Sequence, residues 1–126
     1  MKALLDTSIL IDYLRGLKEA KNLIEKIRNK EIHCLVSTLT EAELFAGKEC
    51  EKESKREEIK ALILLCEKLH IDNEISQKAG EFKRKYNILL DDCIIAATAH
   101  IQNVRLWTKN IEEFKKIKEI VVEAPY

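Results

Sequence analysis

The chain has 126 residues, of which 46% are hydrophobic and 35% charged, and it contains 22 Lys and Arg against 22 Asp and Glu. This length and apolar content predict one domain over residues 1–126 with a substantial core. The net charge of zero excludes attraction of nucleic acid by overall positive charge, so such a partner needs a local basic patch, metal ions or a second subunit. The scarcity of glycine and proline disfavours a loop-rich all-β protein.

The apolar residues follow strand-like and helix-like patterns in alternation. The chain opens on the buried run Ala3–Leu5, and Thr7 and Ser8 are good N-cap residues for a helix that continues to Leu14. The elements predicted next are a helix at 18–30, a strand at 32–36, a helix at 39–50, a charged helix end and connection at 49–58, a helix at 59–66, a strand at 69–71, a helix at 74–86, a connector at 87–90, a buried helix at 91–101, a strand at 104–107, a short helix containing Phe114 and a strand at 120–122. This alternation predicts an α/β fold, with a parallel sheet covered by helices on both faces and joined by right-handed crossovers.

The cysteines and the N-terminus indicate the compartment. The four cysteines are spread singly, at positions 34, 50, 66 and 93, and the absence of any C-x-x-C pair makes a zinc ribbon improbable. We expect small buried thiols in a reducing compartment, although the Lys-, Glu- and Ile-rich composition is also typical of thermophiles, in which intracellular disulfides form. Since the chain has neither a signal peptide nor a membrane-length apolar run, we expect a cytoplasmic protein.

Three acidic residues lie next to or among apolar residues, where an acid that serves only solubility is not expected. Asp6 ends a buried strand, Glu43 lies among core residues of a helix, and Asp92 opens the most apolar helix in the chain. The carboxyl ends of parallel strands meet at one edge of a sheet, which is where open α/β sheets form their sites. We therefore expect these acids to converge there, near the segment 108–110 that follows the fourth strand.

Each acid also has a purely structural interpretation. Asp6 is suited to cap the first helix, and Asp92 or its neighbour Asp91 is suited to cap the apolar helix. Glu43 fits a solvated helix position. The three histidines share no spacing typical of metal ligands, and Trp107 fits the core better than a base-stacking surface.

A cluster of carboxylates is costly without a cation, because two unit charges about 4 Å apart repel by roughly 4 kcal/mol at an effective dielectric constant near 20. Oxygen ligands suit Mg²⁺ or Mn²⁺, and such ions support hydrolysis of phosphodiesters. The residues alone therefore predict metal-assisted phosphoryl hydrolysis and no narrower class.

Four segments in this order and spacing resemble the PIN domain, in particular the VapC-type toxin ribonucleases of toxin–antitoxin pairs. The matching segments are Leu5 to Asp12, Glu41 to Gly47, Asp92 to Ala99 and Thr108 to Phe114. The resemblance covers the whole chain. It implies a three-layer α/β/α sandwich around a parallel sheet and an Mg²⁺- or Mn²⁺-dependent endoribonuclease site.

The resemblance also assigns roles to particular residues. Asp6, Glu43 and Asp92 match the acids that bind the metal, and Asn110 holds a fourth catalytic position at which the family often has Asp. A neutral Asn there implies one metal ion, or a second ion held mainly by substrate phosphate, with Glu113 as a further acid nearby. The hydroxyls that follow the first acid are expected to orient the site, and Thr108 is expected to support it.

The family implies partners as well: an RNA substrate, a second copy of the chain in a homodimer, and a small VapB-like antitoxin. A C-terminal segment of that antitoxin is expected to cross the active-site groove and to neutralise the acids with a basic side chain. The residues expected to contact RNA phosphates are Arg15, Lys48, Arg84 and Lys109.

Three alternatives stay open on the sequence. A PIN nuclease acting in RNA processing or DNA repair keeps the fold and changes the substrate. A non-catalytic PIN-like binding module predicts no divalent ion at the acids. A phosphoacceptor receiver domain needs an acid pair beside the first strand, where this chain has only Asp6, although Lys109 fits its lysine position.

Overall fold

The computed structural model describes all residues, 1–126, and its centre is a five-stranded parallel sheet. The strands are β1 (Lys2–Leu5), β2 (His33–Ser37), β3 (Glu67–Leu69), β4 (Arg105–Trp107) and β5 (Val122–Glu123). Their order across the sheet is β3-β2-β1-β4-β5, so the chain adds strands on one side of β1 and then on the other. The predicted α/β class and parallel sheet are confirmed.

Seven α-helices cover the two faces of this sheet. They are α1 (Thr7–Leu14), α2 (Lys18–Arg28), α3 (Thr38–Phe45), α4 (Glu53–Ile63), α5 (Asn73–Tyr86), α6 (Leu90–Gln102) and α7 (Ile111–Phe114), and a short 3₁₀ helix spans Lys48–Glu51. None of these helices combines the length and apolarity that crossing a membrane requires.

The sheet separates the core into two parts, because the side chains along each strand point alternately to its two faces. Ala3 and Leu5 of β1 pack on one side with apolar residues of α1, α2, α3 and α4, whereas Leu4 packs on the other with residues of α5, α6 and α7. Successive side chains of a strand point to opposite faces, so a strand buried on both faces is apolar throughout. This is why the short run Ala3–Leu5 is continuous rather than alternating.

Several predicted boundaries were wrong. The helix predicted at 39–50 ends at Phe45, and α4 begins at Glu53 within the stretch predicted as a charged helix end and connection. The strand predicted at 69–71 lies at Glu67–Leu69, and the first residue of α6, Leu90, belongs to the predicted connector. Residues 53–58 are mostly good helix formers, but none of them is apolar. The segment therefore has helix propensity without the amphipathic pattern on which the prediction relied.

The expectation of four free thiols was also wrong. Cys34 and Cys66 form a disulfide across a sequence separation of 32 residues, while Cys50 and Cys93 are free and buried. The pairing Leu35↔Glu67 between β2 and β3 brings the two cysteines together. The two cysteines are close because β2 and β3 pair in this register. The positions of the cysteines along the sequence do not indicate that pairing.

Candidate active site

Asp6 is fixed at the corner between β1 and α1. Leu5 of β1 pairs with Trp107 of β4, so the next residues, Asp6 and Thr108, lie side by side at the carboxyl edge of the sheet. The Oδ2 atom of Asp6 accepts hydrogen bonds from the hydroxyls of Thr108, at 2.7 Å, and Ser8, at 2.9 Å. Asp6 occupies the N-cap position of α1, but its side chain makes no capping hydrogen bond. The capping interpretation of this carboxylate was therefore wrong, as was the prediction that Thr7 or Ser8 caps the helix.

The segment after β4 closes this corner. The backbone N–H of Lys109 donates to Ser8 Oγ at 3.1 Å, and that of Asn110 donates to Thr108 Oγ1 at 2.9 Å. Thr108 is completely buried, in keeping with the support expected of it. The side-chain amide of Asn110 makes no hydrogen bond to the protein, so it is free to contact a ligand.

Glu43 reaches the site from α3. This helix begins immediately after β2, where the Ser37 hydroxyl accepts the backbone N–H of Leu39 at 3.0 Å as an N-cap. The hydroxyl of Thr7 donates to Glu43 Oε1 at 2.6 Å and lies 3.0 Å from the hydroxyl of Thr40. Thr7 thus holds Glu43 through Oε1, and the Asp91 carboxyl also lies within hydrogen-bonding reach of Glu43.

Burial raises the pKa of Glu43, and the bond from Thr7 opposes that shift by favouring the carboxylate. The negative charges of Asp91 and Asp6 raise this pKa further. Glu43 is exposed, as the solvated-helix interpretation expected, and it also lies close enough to other acids of the predicted site to be affected by their charge.

Asp92 enters from the first turn of α6, whose N-cap position is held by Leu89. Neither Asp91 nor Asp92 occupies the N-cap position, but Asp91 Oδ1 accepts a hydrogen bond from the backbone N–H of Asp92 in the first turn at 2.9 Å. Burial raises the pKa of Asp92 to about 6, and the charges of Asp91, Asp6, Glu113 and Glu43 add to the shift. The three predicted acids therefore share one electrostatic environment, and Asp91 and Glu113 extend it.

Four of these acids lack compensating cations, whereas Glu113 pairs with Lys116 at 3.4 Å. Asp6, Glu43, Asp91 and Asp92 make no ion pair within 4.0 Å, although exposed Lys, Arg and His side chains elsewhere form ten pairs with acids. No three His, Cys, Asp or Glu side chains are arranged as a ready ligand set for one ion. The structure thus brings several carboxylates together, but it does not arrange three of them around a single cation position.

The chemistry of the donor set suits a hard divalent cation. Every available donor at the site is an oxygen atom or the free amide of Asn110, and no thiol or imidazole takes part. Asp6 accepts both of its internal hydrogen bonds at Oδ2, which leaves Oδ1 for a cation, and Glu43 accepts from Thr7 at Oε1 while its carboxyl also lies close to that of Asp91. A cation bound there would also lower the raised pKa values of the acids.

Two residues of the candidate site, Asp91 and Thr40, were not identified from the sequence. Asp91 was assigned to capping or to the surface, yet it acts on both Glu43 and Asp92. Thr40 was not singled out, because a buried helical threonine has no distinctive pattern; its position three residues before Glu43 was the only available signal. The burial of Trp107, whose Nε1–H donates to Glu123 Oε1 at 3.0 Å, confirms its structural interpretation.

Known proteins resemble the chain over nearly its whole length. The model of the PIN domain family matches residues 3–120. Ribonuclease VapC1 of Methanocaldococcus jannaschii is 36% identical over 124 residues, covering 94% of this chain and 82% of the relative. Ribonuclease VapC10 of Mycobacterium tuberculosis is 30% identical over 122 residues, covering 93% of this chain and 89% of the relative. A toxin–antitoxin complex from Klebsiella pneumoniae contains a chain with a TM-score of 0.81 and 28% identity, and 98% of each chain is covered.

Proposed function

The chain belongs to the PIN domain family, and on that premise we propose that it is a divalent-metal-dependent endoribonuclease, the toxin of a VapBC-type toxin–antitoxin pair. The observation that carries the chemistry is the group of four acids, Asp6, Glu43, Asp91 and Asp92, which approach one another with no Lys or Arg to balance them. The ribonuclease names of two curated relatives support RNA as the substrate.

Asp6, Glu43 and Asp92 would hold the cation. Mg²⁺ or Mn²⁺ at that position supplies a Lewis acid and a positive charge to the phosphodiester. The Ser8 and Thr108 hydroxyls fix Asp6, Thr7 fixes Glu43, and the free amide of Asn110 is available to a phosphate oxygen. In the hydrolysis, a water oxygen bonds to phosphorus while the bond to one nucleoside oxygen breaks, which leaves a phosphate monoester and a hydroxyl.

Cleavage of a panel of structured RNAs by the purified protein tests this proposal. We expect cuts with Mn²⁺ or Mg²⁺ that disappear with a chelator and in Asp92→Asn. Glu112→Gln is the matched control, because Glu112 is exposed and pairs only with Lys115, the residue that follows α7. DNA flaps belong in the same assay: cutting of flaps and of no RNA would favour the DNA-repair alternative. Absence of both cutting and ion binding would favour the binding module.

The proposed antitoxin has a matching groove beside the acids. A cavity of about 430 Å³ lies between α1, α3 and α4, and Glu43 belongs to its wall as well as to the acid cluster. Its apolar lining is Ile11, Leu14, Leu44 and Ile59, and its charged lining is three acids, Glu43, Glu49 and Glu58, against Arg15 and Lys55. Lys55 pairs with Glu58, so Glu43 and Glu49 are the acids left to attract a basic side chain. Such a groove suits a peptide with apolar anchors and a basic side chain.

Co-expression with the product of a neighbouring small reading frame tests this partner. We expect a stable complex that protects the cell from the toxin, and we expect Leu14→Glu to break the complex while leaving RNA cleavage intact. A complex that is unaffected by Leu14→Glu would place the antitoxin elsewhere on the surface.

We also propose a homodimer. Leu89 and Leu90, just before Asp91, are exposed to 65% and 53% although they are large and apolar, which favours cover by a second copy. Light scattering should show a dimer for the wild-type protein and a monomer for Leu89→Glu. A monomeric wild-type protein would remove this part of the proposal.

A further inference from the structure

Thr40 is a buried residue whose hydroxyl has an unusual partner. It lies in the first turn of α3 with no exposed surface, and its Oγ1 is 3.0 Å from Oγ1 of Thr7 on a different helix. Buried helical threonines commonly donate to a backbone carbonyl of the preceding turn, as Thr98 does to Ile94 O at 2.8 Å. Thr40 contacts another hydroxyl instead, so its polar group serves a tertiary contact.

The direction of the hydrogen bonds follows from proton counting. Thr7 has one hydroxyl proton, and its shortest contact, 2.6 Å, is with the Glu43 carboxylate oxygen Oε1. Bonds to an ionised acceptor are the shorter and stronger ones, so Thr7 donates its proton there. The Thr7 oxygen is then an acceptor toward Thr40, and the proton between the two threonines belongs to Thr40.

We propose that Thr40 is a positioning residue for the metal site: through Thr7, its hydroxyl fixes Oε1 of Glu43 and so orients this carboxylate toward a divalent cation. The inference rests on the proposed function, because it concerns the same cation. Hydrogen bonds join Thr40 to Thr7 and Thr7 to Glu43. Thr40 and Glu43 are three residues apart on one face of α3, so the helix itself aligns the two ends of this hydrogen-bonded chain. Partners of this kind orient metal ligands, and their loss typically lowers metal affinity or activity by about 10- to 100-fold.

Manganese binding measured by calorimetry tests the proposal without requiring turnover. Thr40→Val keeps the shape of the side chain and removes the hydroxyl, and we expect its dissociation constant for Mn²⁺ to rise by about 10-fold. Thr40→Ser restores the hydroxyl and should return within about 3-fold of the wild-type value. Thr98→Val is the matched control, since it removes a buried helical hydroxyl that does not contact the acids, and it should bind Mn²⁺ like the wild type.

RNA cleavage supplies a second measurement. At subsaturating Mn²⁺ we expect Thr40→Val to lose kcat, and at saturating Mn²⁺ we expect recovery of kcat with an unchanged KM for RNA. If Thr40→Val does not fold, Thr40→Ala carries the test, since it removes the hydroxyl and adds no volume. Failure of both variants to fold would assign Thr40 to stability and overturn the inference.

The possible outcomes distinguish an error about Thr40 from an error about the proposed function. A wild-type protein that binds Mn²⁺ with the same affinity as Thr40→Val overturns the role of Thr40 and leaves the proposed function standing. The same holds if Thr40→Ser binds as weakly as Thr40→Val, or if Thr98→Val is equally impaired. A wild-type protein that neither binds Mn²⁺ nor cleaves RNA overturns the proposed function and this inference with it.

Discussion

Replacing Asp92 by Asn should stabilise the metal-free protein at neutral pH. The Asp92 carboxyl has a pKa of about 6 in the fold against an ordinary value of 3.8, because burial and four neighbouring acids disfavour its charge. The folded protein therefore holds this proton more tightly than the unfolded chain does. Asn at this position carries no charge, so the variant avoids the penalty that the wild type meets when Asp92 ionises.

The sign of the pH dependence follows from the two pKa values. Below about pH 4 both states are protonated at Asp92, and the carboxyl imposes no penalty. Between about pH 4 and 6 the unfolded chain loses its proton first, so the free energy of unfolding falls as the pH rises. Above about pH 6 the folded state carries the full penalty, and the advantage of Asp92→Asn is at its greatest.

Three effects set the magnitude. At about 1.4 kcal/mol per pKa unit, the shift gives an upper limit of about 3 kcal/mol. Asp92 is partly exposed, so solvent screening reduces this to about 2 kcal/mol. The variant also loses a favourable interaction of the charge with the N-terminus of α6, about 0.5 kcal/mol. The net expectation is about 1–2 kcal/mol, or roughly 4–8 °C in Tm for a chain of this length.

Urea and thermal unfolding from pH 4 to 8, at low salt and with a chelator, measure this difference. Glu112→Gln is the control for loss of an acid outside the cluster and should match the wild type within about 0.5 kcal/mol. Millimolar Mn²⁺ should then stabilise the wild type more than Asp92→Asn. The reasoning is refuted if the variant is no more stable than the wild type at pH 7.5, or if its advantage persists unchanged at pH 4.

Three further predictions use other parts of the structure. Asp6→Asn should lose at least about 100-fold in RNA cleavage with an unchanged circular dichroism spectrum, and an undiminished rate would contradict the site. Reduction of the Cys34–Cys66 bond should lower the free energy of unfolding by about 3–4 kcal/mol, the value for a closed loop of 32 residues, and a reductant should have no such effect on the double Ser variant. Thr108→Val removes the 2.7 Å bond to Asp6 and should weaken Mn²⁺ binding by about 10-fold in calorimetry, so wild-type affinity in this variant would show that Thr108 only fills space.

The sequence predicted the three acids because each interrupts an apolar pattern. Asp6 follows a continuous buried run, Glu43 follows the helical segment Leu39 to Ala42, and Asp92 opens an apolar helix. The edge at which they meet follows from the parallel sheet. The part of the candidate site that the sequence could predict is therefore the part that secondary-structure patterns determine.

The missed features depend on relations between distant segments. Asp91 and Asp92 are adjacent on α6 and differ by about 100° around its axis, so only the packing of that helix decides which of them meets Glu43. Thr40 matters because α1 places Thr7 against it. The Cys34–Cys66 bond likewise needs the β2–β3 register. A single sequence contains no local signal for such pairings.

Under the proposed function, the uncompensated charge of Asp6, Glu43, Asp91 and Asp92 would link stability, catalysis and inhibition. Keeping Asp92 ionised at neutral pH costs the fold about 2 kcal/mol, whereas a cation present at about 100 times its dissociation constant returns about 2.7 kcal/mol. If the proposed site binds the cation, its binding free energy is of the same size as this penalty, and the metal-free protein is less stable than the cation-bound protein. A basic side chain of the antitoxin, reaching the acids through the groove that Glu43 shares, would satisfy the same charge. Inhibition then requires only that this side chain and the metal ion exclude each other from one site.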